Sequence, residues 1–170
     1  MKPNTVGRAD GQDPLTHPVF TPGKKPGFVS GTILLSQDGE MPVEFLSPGD
    51  RIITRDAGMV QLQAIRRRRV VARAISFAAG SLGHTRPDQD LILPAGQMVL
   101  IRDWRAQAMF GRNQALVRAD SLVDDAFICD MGLQKMTLYQ LEFADLHVLY
   151  VGGMEVACAT SQESRLRPAA

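Results

Sequence analysis

Two cysteines, three histidines and a run of four arginines are the residues of this chain best equipped for chemistry. A thiolate is the strongest nucleophile among the side chains, so Cys129 and Cys158 come first. Each follows an apolar pair, in Phe127-Ile128-Cys129 and Val156-Ala157-Cys158, with no base beside it in sequence. That context predicts reduced core thiols, with a disulfide between them left open. His84, in Gly83-His84-Thr85-Arg86-Pro87, has a metal-binding ring, but no second histidine or cysteine stands at ligand spacing. A loop histidine is expected, with no metal and no cofactor. Arg66 to Arg69 have the charge of a phosphate-contacting strip. Against that, a strand sends alternate side chains to opposite faces, so two of the four would simply meet solvent. The net charge of the whole chain is only +1, which gives an acidic partner no long-range attraction. Nucleic acid is therefore disfavoured.

These residues need a scaffold, and the composition bounds it. A chain of 170 residues with 45% hydrophobic and 22% charged residues fits one globular domain that needs no disulfide or metal staple. No apolar run reaches the length of a membrane span. The polar start, Met1-Lys2-Pro3-Asn4, does not read as a signal peptide, so a cytoplasmic location is the default expectation. Residues 1–26 hold five prolines among few apolar side chains, which predicts a flexible tail. His17 lies in it and is expected to have no role. Residues 163–170 form a second tail, leaving 27–162 as the folded unit.

Within that unit the apolar segments are short and separated by turn residues. Thr32 to Leu35 predicts a strand, and Asp38-Gly39 a turn. Pro48-Gly49 predicts another turn before Arg51 to Thr54. Val60 to Ile65 alternates as a half-buried strand does. Ile75–Ala78, Leu91–Leu93, Met98–Ile101, Leu138–Phe143, Val148–Val151 and Met154–Cys158 predict further strands. Trp104 to Phe110 predicts a short helix closed by Gly111, with Trp104 plugging the edge of the core. Ala119 to Val123 predicts one more helical turn. Asp50 and Asp90 are expected to satisfy backbone N–H groups at turns. Many short strands and little helix make the fold class all-β.

The order of these pieces resembles a known family. Gly31-Thr32, Asp38-Gly39-Glu40, Pro42-Val43-Glu44, Leu46-Ser47-Pro48-Gly49-Asp50 and Thr54-Arg55-Asp56 arrive at the spacing of the opening of a Hint domain. That is the self-cleaving module of hedgehog proteins and inteins. The likeness is to a bacterial subfamily of short, stand-alone Hint domains, and it extends over 27–159. Ala79 to Gly83, Asp90 to Leu93, Trp104 to Gly111 and Val148 to Glu155 carry it onward. It implies a horseshoe of short strands with one or two short helices.

The resemblance also implies which residues should react, and three of them are replaced. The family's cysteine attacks the carbonyl just before it; Gly27 stands at its position. The family's Ser/Thr-x-x-His element protonates the leaving amide and holds the tetrahedral intermediate; Leu93 stands for the hydroxyl and Gly96 for the histidine. A further family histidine aligns with Leu146, one residue before His147, and in a strand one residue reverses the face. Only a bulge would bring His147 back. The expectation is a Hint-like domain without autoproteolysis or splicing, kept as a structural or binding module for an unspecified protein partner, with no small-molecule substrate. The competing expectation is residual self-cleavage, with Ser30 as nucleophile and His147 with Asp145 as the acid–base pair.

Overall fold

The computed structural model describes residues 27–158; both expected tails lie outside them. Strands dominate. In chain order they are β1 (Phe28–Val29), β2 (Ile33–Ser36), β3 (Gly39–Pro42), β4 (Arg51–Thr54), β5 (Gly58–Gln61) and β6 (Ala64–Phe77), followed by β7 (Leu91–Pro94) and β8 (Met98–Ile101). After the helix α1 (Trp104–Phe110) come β9 (Ala115–Arg118), β10 (Ile128–Glu142), β11 (His147–Val151) and β12 (Met154–Cys158).

Two sheets form. One runs β1-β10-β6-β7; the larger runs β3-β2-β4-β11-β12-β8-β9, with β5 on the outer side of β4. Local chemistry sets the corners. Ser36 pairs with Gly39 across Gln37-Asp38, and the Ser36 hydroxyl donates to the Gly39 carbonyl at 2.9 Å. Asp50 accepts from the Ser47 N–H at 2.8 Å, and Asp90 from the Ala79 N–H at 2.9 Å. The alternating run from Val60 to Ile65 is interrupted. Leu62 turns inward, almost fully buried, while its N–H and C=O bond to Asp50 and Gly49. The chain thus breaks between β5 and β6. β3 likewise stops at Pro42, and the chain goes on as a 3-10 turn over Val43–Phe45.

The core lies where β8 and β12 run buried at every residue. Val99 pairs with both Val156 and Val117 there. Phe28, Phe77 and Phe143 are among the largest side chains fully inside. Each such ring stabilises the fold by roughly 1.5–3 kcal/mol through burial. The helix α1 begins at Asp103, whose carboxylate accepts from the Arg105 N–H, and ends at Gly111 in the left-handed conformation (φ 63°). Its contact with the core is Ala106; Trp104 is 71% exposed, with the Arg105 guanidinium 5.1 Å from its ring centre. Trp104 therefore does not plug the core: at the first helical position it faces away from the side that Ala106 buries.

The largest departure from the alternation pattern is a ribbon. β6 and β10 pair antiparallel from Phe77↔Ile128 to Ala64↔Glu142, broken by one bulge between Asp130 and Leu133. Arg66, Arg67 and Arg69 are exposed on it and Arg68 is half-buried; Arg66 reaches Glu142 at 2.8 Å. The arginines thus sit along a long strand rather than at the end of a short one.

One loop carries a pH dependence. The Oδ1 of Asp124 accepts N–H bonds from Ile128 (2.8 Å), Ala126 (3.0 Å) and Phe127 (2.8 Å). These donors, Ile128 first, with the Arg105 charge adding to them, hold the Asp124 carboxyl below the usual carboxylate range. A depressed folded pKa stabilises above the unfolded value and is lost as pH falls through the folded one. Asp124→Ala should therefore cost about 0.5 kcal/mol at neutral pH, the low end of the range for a capping carboxylate because this one is exposed to solvent. Urea unfolding should show that difference vanish in acid; a difference constant with pH would refute the assignment.

Candidate functional site

Gly27 is the first described residue, directly before β1, and its amide is hydrogen-bonded. The Gly27 N–H donates to Gln97 Oε1 at 3.0 Å, and Gln97 Nε2 donates to the Ala157 carbonyl at 2.6 Å. A backbone N–H only donates and a carbonyl only accepts, so the orientation of the Gln97 amide is fixed by its partners. Gln97 is 1% exposed. Its own N–H bonds to Pro94 and its carbonyl accepts from Ala119. One glutamine thus ties the start of β1, the β7–β8 turn, the end of β9 and the end of β12 together.

The space around this junction is small. Gly27, Gln97, Ala157 and Cys158 are among the walls of a cavity of about 10 Å³, room for a single water at most. A side chain at position 27 would be crowded as well. A Cβ there would lie 3.2 Å from the Tyr139 carbonyl oxygen and 3.3 Å from Leu138 Cβ. Leu93, in β7, is fully buried and packs in the core, and Gly96 is half-buried in the following turn. Neither offers a polar group to the junction.

The other candidates fall elsewhere. Ser30 is exposed in the turn after β1, its N–H bonded to the Thr137 carbonyl at 3.1 Å. Asp145 is exposed as well. His147 is 7% exposed at the start of β11, and its partner is Asp56, not Asp145. Its Nδ1 lies 2.8 Å from Asp56 Oδ2, while Asp56 Oδ1 accepts from the Val148 N–H at 3.0 Å. The carboxylate only accepts, so Nδ1 is the nitrogen that carries a proton in this contact. The ring expected beside Asp145 lies beside Asp56, in the turn that follows β4, while Asp145 is exposed. No bulge intervenes, because β11 and β12 stay in register from His147↔Cys158 to Val151↔Met154.

Directly opposed residues share a face, so the His147 and Cys158 side chains are neighbours. Cys158 is buried and its thiol donates to the Leu141 carbonyl at 3.1 Å. Cys129 is half-buried on β10, and no disulfide joins it to Cys158. Among the described residues no three His, Cys, Asp or Glu side chains converge as a metal site, and no helix is long and apolar enough to cross a membrane.

Sequence reasoning missed two residues here. Gln97 lies next to the replaced histidine position and has no charge or nucleophile to flag it. Asp56 closes the Thr54-Arg55-Asp56 element, yet nothing local ties it to a ring 91 residues away.

Expelling an amide nitrogen requires a proton delivered to it. At Gly27 the facing atom is a carbonyl oxygen, an acceptor. With neither an acid at the nitrogen nor a side chain at position 27, the atoms in contact there form a hydrogen-bonded tie.

A family profile described as Hint domain matches residues 26–162. No curated protein matches the sequence. Among solved structures, the bacterial intein-like domain from Clostridium thermocellum is 16% identical, with a TM-score of 0.54 over 79% of this chain and 98% of that one. A DnaB intein from Synechocystis sp. PCC 6803 is 9% identical, with a TM-score of 0.56 over 79% and 99%. At such identities the likeness is one of fold.

Proposed function

The chain belongs to the Hint-domain family, and from that premise we propose that it is a member in which a structural tie has replaced self-cleavage, leaving a structural or binding module. One observation carries the reading: the Gln97 side-chain oxygen accepts from the Gly27 amide, at the nitrogen that cleavage would have to protonate. The crowding against a Cβ at Gly27 and the apolar Leu93 point the same way.

Intact mass after incubation with dithiothreitol and hydroxylamine tests it, because both reagents intercept an ester or thioester. A single full-length mass is expected, with and without reagent. A fragment beginning at Gly27 or Ser30 would overturn the proposal. Gly27→Cys should also stay full-length, since restoring a thiol supplies no acid for the nitrogen. Reagent-dependent cleavage of that variant would mean that Gln97 is no obstacle.

The buried His147–Asp56 pair favours a second reading. A ring oriented by a carboxylate is what a general base needs, and Asp56 supplies what Asp145 does not. On that reading Ser30 attacks the carbonyl before it, between Val29 and Ser30. The wild type would then shed a fragment that Ser30→Ala abolishes.

A further inference from the structure

Glu155, in β12, is 3% exposed and gathers three arginines around one carboxylate. Arg102 meets it with two bonds, Nε to Oε2 and Nη2 to Oε1, both 2.8 Å. Arg55 Nε lies 2.9 Å from Oε1. Arg86 Nη1 stands off at 3.5 Å from Oε2. Three cations against one anion leave a local surplus of two positive charges. Asp103 does not cancel it, because its carboxylate is paired with Arg105.

Arg86 and Arg102 of this cluster, with Glu155, His84 and Asp103, are among the walls of a cavity of about 230 Å³, and Arg55 is not. The cavity shares no lining residue with the one at Gly27. Arg86 and Arg102 keep 38% and 35% of their side-chain surface exposed, so both are reachable. A contact of 3.5 Å commits little of the five-donor guanidinium of Arg86. The rim is unusual too. His84 (φ 49°) and Thr85 (φ 58°) both hold left-handed backbone, which side-chain-bearing residues and β-branched ones above all avoid. Leu82 N–H to Arg86 O (2.8 Å) and Arg86 N–H to Gly83 O (3.0 Å) lock that turn, and so fix where Arg86 enters the wall.

We propose that this cavity is a binding site for a small oxyanion, a phosphate or carboxylate group, held by Arg86 and Arg102 beside the Glu155 carboxylate. Guanidinium forks match both groups with paired N–H donors. The buried Glu155 holds Arg102 in place, and Arg86 supplies the donors left over. The site stands whether or not the chain cleaves itself, since it uses none of the residues at the Gly27 junction.

The test is a titration of the isotope-labelled full chain with inorganic phosphate and, separately, with malonate, chloride keeping the ionic strength constant. Saturable shifts of the Gly83, His84 and Arg102 amides in the millimolar range are expected with at least one probe. Response to phosphate alone assigns the phosphate source, and response to malonate alone the carboxylate source. Arg86→Gln should weaken binding about tenfold or more, as loss of a charged donor does. Arg86→Lys should recover part of it. Arg67→Gln, on the exposed ribbon, serves as the control and should bind as wild type. No saturable response to either probe would overturn the proposal. So would equal weakening by Arg86→Gln and Arg67→Gln, which would reduce the effect to general charge.

Discussion

Glu155→Ala should destabilise the domain by about 3–5 kcal/mol, the range for removing one partner from a buried ion cluster. The substitution takes the single carboxylate from between Arg55 and Arg102 and leaves two guanidinium groups facing each other with no counter-charge. Arg86 contributes less, because it is distant and better solvated. Glu155→Gln separates charge from shape: it fills the same volume without the charge, and should recover only a minor part of the loss. Equilibrium urea unfolding measures both. A loss below about 1 kcal/mol for the alanine variant would show that the arginines turn to solvent without penalty. It would also remove Glu155 as the element that positions Arg102.

Gln97→Ala is the second large effect, about 2–4 kcal/mol. It strands the Gly27 N–H and the Ala157 C=O, each buried and each costing about 1–3 kcal/mol when left unpaired. Gln97→Glu gives a sharper test. A carboxylate still accepts from Gly27, but its second oxygen then opposes the Ala157 carbonyl instead of donating to it. Protonation restores a donor, so the variant takes up a proton more readily when folded. Its folded pKa is raised, and stability linked to a raised pKa is present below the unfolded value and lost as pH rises through the folded one. The deficit of Gln97→Glu against wild type should therefore shrink in mild acid, whereas that of Gln97→Ala should not. Equal deficits at every pH would mean that the tie to Ala157 carries no weight.

The parts of the fold that the sequence revealed are those where burial writes a pattern. Leu34, Ile52 and Val156 sit in short apolar strands between turn residues, and α1 ends where Gly111 can take a left-handed backbone. The β6–β10 ribbon was largely hidden for the opposite reason. Much of it is exposed on both faces, so Arg66 to Arg69 and Gln134-Lys135 show no apolar alternation. Trp104 misled because size was taken for burial, while a seven-residue helix has room for little more than Ala106 against the core. Around the candidate site, the sequence drew attention to Gly27, Leu93 and Gly96 through their order in the chain. The contacts there were not legible. Gln97 reaches Gly27 and Ala157 across 70 and 60 residues, and His147 meets Asp56 only because β11 lies beside β4 in the larger sheet.

The ribbon has a colloidal consequence. Among the described residues, β6 before Ala74 is paired on one side only, by β10, and β10 before Leu138 on one side only, by β6. Such edges expose rows of backbone donors and acceptors to which another chain can add. Four adjacent arginines on one edge make a second copy's approach a meeting of like charges. They act on the encounter between molecules, not on the folding of one, and so govern how concentrated the protein can become before its edges find each other.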